Sequence, residues 1–218
     1  VVDLSVAVYD MAGGREAAYG EDRRYVCASV VKVAVLAALL LRAQDAGEWL
    51  TGGQERLAAA MIERSDNDAA TVLRAAAGGV AGLDAAYARL GMRRTAAAPA
   101  WGLTRTTARD QLTLLKAVFD MDTRNSPLNG RSRRFIADLM ERVVPGQDWG
   151  VSAAGGDWAL KNGWLPRTAG GLWVVHSVGR VRNCLIAVLS DGHATRDEGI
   201  ARVETAAVSA VRRTRRGA

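Results

Sequence analysis

Ser29-Val30-Val31-Lys32-Val33-Ala34-Val35-Leu36 opens a helix-forming run, Val30 to Ala46, that holds no glycine or proline and stops at Gly47. Leu36, Leu39 and Leu40 supply its apolar residues. Residues three apart on a helix lie one above the other, so the Lys32 amine can reach the Ser29 hydroxyl from the next turn. A serine hydroxyl is a poor nucleophile at neutral pH and needs such a neighbouring base. Ser29 falls in the first turn, where unpaired backbone N–H groups and the positive dipole end favour a developing oxyanion.

Lysine usage points the same way. The chain has only three lysines, Lys32, Lys116 and Lys161, beside 26 arginines. Arginine keeps its charge under all ordinary conditions, whereas an amine held near other cations or out of water can lose its proton. Two of the three lysines sit in short motifs: Ser29-Val30-Val31-Lys32 and Lys161-Asn162-Gly163, with Ser65-Asp66-Asn67 between them. The order is S-x-x-K, S-D-N, K-x-G. In an acyl-transfer site Ser65 can pass a proton to a leaving group and Asn67 can hydrogen-bond a substrate amide. Lys161 adds a positive charge that attracts a carboxylate and discourages protonation of Lys32. Either outer motif alone is a weak signal, and Ser65-Asp66-Asn67 alone reads equally well as a helix cap, with Asp66 structural in both cases.

Taken together, in this order and at these spacings, the three motifs resemble those of the class A serine β-lactamases and the penicillin-recognising D,D-peptidases. Met61 to Ala70 is similar to the family's S-D-N region entering its next helix. Leu90-Gly91-Met92 and Thr106-Thr107-Ala108-Arg109-Asp110 are similar to the stretches flanking its omega loop, and Val174 to Asp191 to its closing hairpin. The resemblance implies that Ser29 is the nucleophile, Lys32 its base, Ser65 the relay and Lys161 the fixed charge. It also implies that Asn67, Asn162, Gly163 and Trp164 bind substrate, the Trp164 backbone N–H sharing the oxyanion hole with that of Ser29.

Two departures limit what the resemblance carries. Class A enzymes use an omega-loop glutamate to orient the deacylating water, yet no carboxylate occurs between Asp84 and Asp110. Asp110 itself fits a capping box with Thr107, ahead of Leu112, Leu114, Leu115 and Val118. Acylation at Ser29 is therefore expected to outrun deacylation. The second departure is Asn162, where the family has threonine or serine; an amide is longer and aims its hydrogen bonds differently. Arg167 and Arg180 are candidates for holding a substrate carboxylate.

Strand signals lie at both ends of the chain. Asp3 to Tyr9 and Arg15 to Tyr19 form a hairpin across Met11-Ala12-Gly13-Gly14. Helices then run from Ser29 to Arg142, with loops at Thr51-Gly52-Gly53 and Thr95 to Thr106. Strands return near Asp157 to Lys161, Leu172 to Val178 and Asn183 to Leu189. A last helix, Arg196 to Arg213, spaces Ile200, Val203, Ala207 and Val211 on one face. The expected architecture is α+β: one antiparallel sheet from both chain ends, flanked by helices, beside an all-helical portion over roughly residues 48–150, with the site in the cleft between. Its 218 residues, 49% hydrophobic, fit a single domain over 1–218.

The net charge of +6 and the ending Arg212-Arg213-Thr214-Arg215-Arg216 raise nucleic acid as a partner. Scattered arginines, no interleaved aromatics and a basic final helical turn speak against it. Arg131-Ser132-Arg133-Arg134 reads as a solvated helix start. Cys27 and Cys184 read as core thiols, His176 as a strand residue and His193 as a turn residue; no metal or cofactor is expected. No membrane span or signal peptide is apparent. The resemblance implies a monomer acting in the cell envelope or medium on a small-molecule or peptidoglycan-like substrate. The alternatives are a penicillin-binding sensor or non-catalytic scaffold, and an esterase or amidase on the same fold.

Overall fold

The computed structural model describes residues 2–120, 126–166 and 170–216. Five antiparallel strands form the main sheet: β1 (Asp3–Asp10), β2 (Arg15–Tyr19), β5 (Trp158–Pro166), β6 (Trp173–Val181) and β7 (Cys184–His193), in the order β2-β1-β7-β6-β5. The first and last strands of the chain are paired neighbours, Ala7 opposite Ala187 and Val8 opposite Ile186. The expected sheet from both chain ends is thus formed. A second, two-stranded sheet joins β3 (Tyr25–Val26) to β4 (Arg105–Thr106), a pairing too short to show as alternation in the sequence.

The described residues form seven helices, of which α5, α6 and α7 pack on the sheet: α1 (Val31–Asp45), α2 (Gly52–Glu63), α3 (Asn67–Ala76), α4 (Gly79–Leu90), α5 (Ala108–Phe119), α6 (Gly130–Met140) and α7 (Arg196–Arg216). Strand alternation divides the core in two. Leu185, Ala187 and Leu189 point to the side of α1 and α5, whereas Cys184, Ile186 and Val188 point to Val203, Ala207 and Val211 of α7. α1 is buried around its whole circumference from Val31 to Leu41, as an all-apolar helix must be, so Lys32 enters the interior with it.

Several local expectations shift. Thr51-Gly52-Gly53 is the start of α2: the Thr51 hydroxyl accepts from the Gln54 N–H while the Gln54 side chain accepts from the Thr51 N–H, a reciprocal cap that overrides the two glycines. Arg133 is buried, not solvated. Its guanidinium donates to the carbonyls of Val118 and Asp120 at the end of α5. His193 is the last residue of β7 and not a turn residue, its Nε2 lying 2.6 Å from the Ser190 hydroxyl. Cys27 and Cys184 are both buried and not joined in a disulfide.

Candidate active site

The centre of the cleft is built on two residues in the left-handed backbone region, which side chains other than glycine rarely occupy. Ala28 has φ 46° and Ser65 has φ 57°. Ala28 turns the chain into a 3-10 turn, Ala28–Val30, that leads into α1 and leaves Ser29 partly exposed. Ser65 stands between α2 and α3. Directly after it, Asp66 caps α3 by accepting from the Ala69 N–H at 2.8 Å, the structural role expected of it.

Lys32 sends its amine across to this second turn. Nζ donates to the Ser65 carbonyl at 2.6 Å, the Ser65 hydroxyl at 3.1 Å and Asn67 Oδ1 at 2.8 Å. Lys161, on β5, donates to the same Ser65 hydroxyl at 2.9 Å and to the Asn162 carbonyl at 3.0 Å. Ser65 Oγ is therefore shared by two amines. Burial pulls the Lys32 pKa down to about 8 against a smaller opposing pull from Asp66. Burial and the neighbouring Lys32 charge push Lys161 well below the ordinary lysine range. Among the described residues no hydrogen bond joins Ser29 to Lys32. The 3-10 turn sets Ser29 off the α1 register, and the three amine protons are directed to Ser65 and Asn67.

The opposite wall is β5, the edge strand. Lys161 and Gly163 face the cleft, one toward Ser65 and the other toward the Ser29 turn, as residues two apart on a strand must. A Cβ at Gly163 would stand 2.8 Å from the backbone nitrogens of both Ser29 and Val30, so only glycine permits this approach. Asn162 lies between them and turns away. Its Nδ2 donates to the carbonyls of Gln147 and Trp149, both at 2.9 Å, and Oδ1 is buried without a partner among the described residues. Gln147 in turn donates to the Arg64 carbonyl at 2.9 Å, so the loop held by Asn162 braces the turn that carries Ser65. The Trp164 indole packs against Trp149, with the Arg196 guanidinium 5.9 Å from its ring. Arg180 pairs with Glu141 at 2.7 Å, and Arg167 lies outside the described residues.

The stretch between α4 and α5 closes on itself through a bridge between Ala96 and Arg105. Asp110 is its anchor. The carboxylate accepts from the Arg94 N–H at 2.8 Å and the Thr95 hydroxyl at 2.7 Å, while its own N–H is capped by the Thr107 hydroxyl at 3.1 Å. Half of the expected capping box is thus present, the carboxylate being drawn away by two closer donors. One site residue carried no sequence signal beyond being a tryptophan among small residues. Trp101, in a 3-10 turn Trp101–Leu103, lies with its ring centroid 4.9 Å from Lys32 Nζ.

No group of three or more metal-ligating side chains occurs among the described residues. No helix among them is long and apolar enough to cross a membrane.

Among curated proteins none matches the chain in sequence. Solved structures do match in fold. PBP-A superposes with a TM-score of 0.79 at 20% identity, over 95% of this chain and 88% of that one. A β-lactamase from Chitinophaga pinensis gives 0.76 at 18% identity, over 96% and 94%. A representative class A β-lactamase from Bacteroides cellulosilyticus gives 0.79 at 17%, over 96% and 92%. At these identities the likeness speaks to fold alone. The sequence evidence comes from a family model, described as the β-lactamase enzyme family, that matches residues 54–212, a span holding Ser65, Asn67 and Lys161 and beginning after Lys32. Since that match takes in most of the chain, the chain belongs to the β-lactamase enzyme family.

Proposed function

We propose that this protein is a serine hydrolase that forms an acyl-enzyme at Ser29 with β-lactams or related amides and peptides, and releases it slowly. The observation that carries the reading is the Lys32–Ser65–Lys161 relay, in which two buried amines meet on one hydroxyl. With a pKa of about 8, Lys32 is neutral in roughly a tenth of molecules at pH 7, a fraction sufficient for a general base. Neutral Lys32 takes the Ser29 proton as Oγ attacks the carbonyl carbon. The oxyanion forms against backbone N–H groups of Ser29 and Trp164. Ser65 hands a proton to the departing nitrogen and recovers one from Lys32, the C–N bond breaks and an ester to Ser29 remains. Lys161 holds a substrate carboxylate, with Asn67 on the substrate amide and Gly163 lending close backbone approach. Asn162 acts at one remove, through the loop it braces.

Slow release follows from composition and geometry together. Residues 85–109 contain no carboxylate, and Asp110 is engaged with Arg94 and Thr95. That engagement also favours a second reading, a penicillin-binding sensor that captures its ligand without turnover. Either reading entails action in the cell envelope or medium, where such substrates occur. Intact-protein mass spectrometry after mixing with a penicillin, beside Ser29→Ala, is the test. The expected result is a Ser29-dependent adduct that persists for many minutes. An adduct that clears within seconds would refute slow release, and no adduct at all would refute the acyl-enzyme.

A further inference from the structure

The Lys32 amine is closed on three sides by polar partners and on a fourth by a ring. Ser65 and Asn67 take its protons, and the indole of Trp101 lies 4.9 Å away. Trp101 is itself fixed, its Nε1 donating to the Thr71 hydroxyl at 3.2 Å and its turn packing against the Ala28–Val30 turn. Lys32 is fully buried while Trp101, against its amine, is half-buried and reaches solvent. The charged groups facing Lys32 are Lys161 from β5 and Asp66 at the head of α3; the loop bearing Trp101 brings no carboxylate.

We propose that Trp101 is a positioning residue for the Lys32 amine: its indole, tethered to Thr71, closes the solvent side of the Lys32–Ser65–Asn67 cluster and keeps the amine aimed into it. The catalytic meaning of this rests on the function proposed above. The ring has two opposed effects on the proton. Its face attracts the ammonium, and its bulk keeps out the water that would solvate it. Burial is the leading cause of the depressed Lys32 pKa; on this proposal the ring supplies part of that burial, and its net effect is to favour the neutral amine.

Three lysines make a direct test practical, because the ε-carbon NMR signals of Lys32, Lys116 and Lys161 can each be assigned by single substitution. Titrations would compare wild type with Trp101→Ala, Trp101→Phe and Thr71→Val. In Trp101→Ala the Lys32 midpoint is expected to rise by about one pH unit, a tenfold loss of neutral amine at pH 7. Trp101→Phe should stay within a few tenths of wild type and keep the ring-current displacement of the Lys32 signal. Thr71→Val, at an exposed position, should move the midpoint upward by a smaller step, and it decides the matter if Trp101→Ala does not fold. An unmoved or lowered midpoint in Trp101→Ala, or an unmoved one in Thr71→Val, would overturn the assignment. Penicillin labelling of the same samples separates the two proposals. A raised midpoint without any Ser29 adduct in wild type defeats the acyl-enzyme and leaves the role of Trp101 standing; an adduct with an unmoved midpoint does the reverse.

Discussion

Gly163 and Ser29 meet backbone to backbone, so closely that a methyl group on Gly163 would lie 2.8 Å from the Ser29 nitrogen. This contact sets the distance between β5 and the Ser29 turn, and with it the width of the cleft. Gly163→Ala should force the strand and turn apart at a cost of about 1–3 kcal/mol in stability. The displaced Ser29 N–H weakens the oxyanion site, so acylation should slow by about a hundredfold. Stopped-flow labelling with a fluorescent penicillin, beside a denaturation curve, checks both; an unchanged labelling rate would detach the glycine from the site.

Ser65 combines a strained backbone with a shared hydroxyl, and two substitutions separate these. Ser65→Gly removes the hydroxyl while accepting φ 57° readily, whereas Ser65→Ala removes it and keeps the strain. Both should acylate at least a hundredfold more slowly, since neither can pass a proton between Lys32 and the leaving nitrogen. Ser65→Gly should be the more stable of the pair by about 1 kcal/mol. Equal stabilities would show that the turn carries no strain worth relieving.

That Lys32, Ser65, Asn67 and Lys161 belong to one site was legible because each lies in a short motif whose residue types acyl-transfer chemistry would demand, and the structure brings these four side chains together. The long strands were legible as short apolar and β-branched runs bounded by turn residues, although β5 runs on to Pro166 beyond the expected end at Lys161, because Gly163 and Trp164 belong to no apolar pattern. What could not be read was orientation. Asn162 follows Lys161 by one residue and so points to the opposite side, but whether that side is cleft or support depends on where Gln147 and Trp149 lie, fifteen and thirteen residues away. Trp101 and Arg133 have the same character: composition suggests a loop residue and a surface cation, and only tertiary contact reveals a shield on Lys32 and a plug at the end of α5.

Lys32 also carries a pH signature in stability. Its folded pKa of about 8 lies below the ordinary 10.5, so between these values the unfolded chain holds more protons than the folded one. Stability therefore rises with pH across that window, by roughly 3 kcal/mol in total. Below pH 8 the amine is protonated in both states and the penalty of the buried charge is fully present. Lys32→Met should remove this slope and stabilise the protein near pH 7 while abolishing acylation. Urea denaturation at pH 7 and pH 10 compares the two, and parallel curves for wild type and variant would place the cause elsewhere. In the wild type, acylation should climb with pH and level off above about pH 8.

Asp110 is the carboxylate nearest in sequence to the loop that lacks one, and its bonds assign it to support. Arg94 N–H and the Thr95 hydroxyl both donate to Oδ2 of this buried side chain, holding the loop that ends in the Trp101 turn. Two donors on one oxygen tie the carboxylate to this loop, which assigns it to support. Asp110→Asn keeps the shape but offers one fewer good acceptor, and should cost about 1–3 kcal/mol in stability. Release of a penicillin adduct should change by less than about threefold, far below the loss of a general base. Time-resolved mass spectrometry of the adduct measures this. A hundredfold slower release in a folded Asp110→Asn protein would instead make Asp110 the group that activates the water, and the loop anchor would then have a second role in turnover.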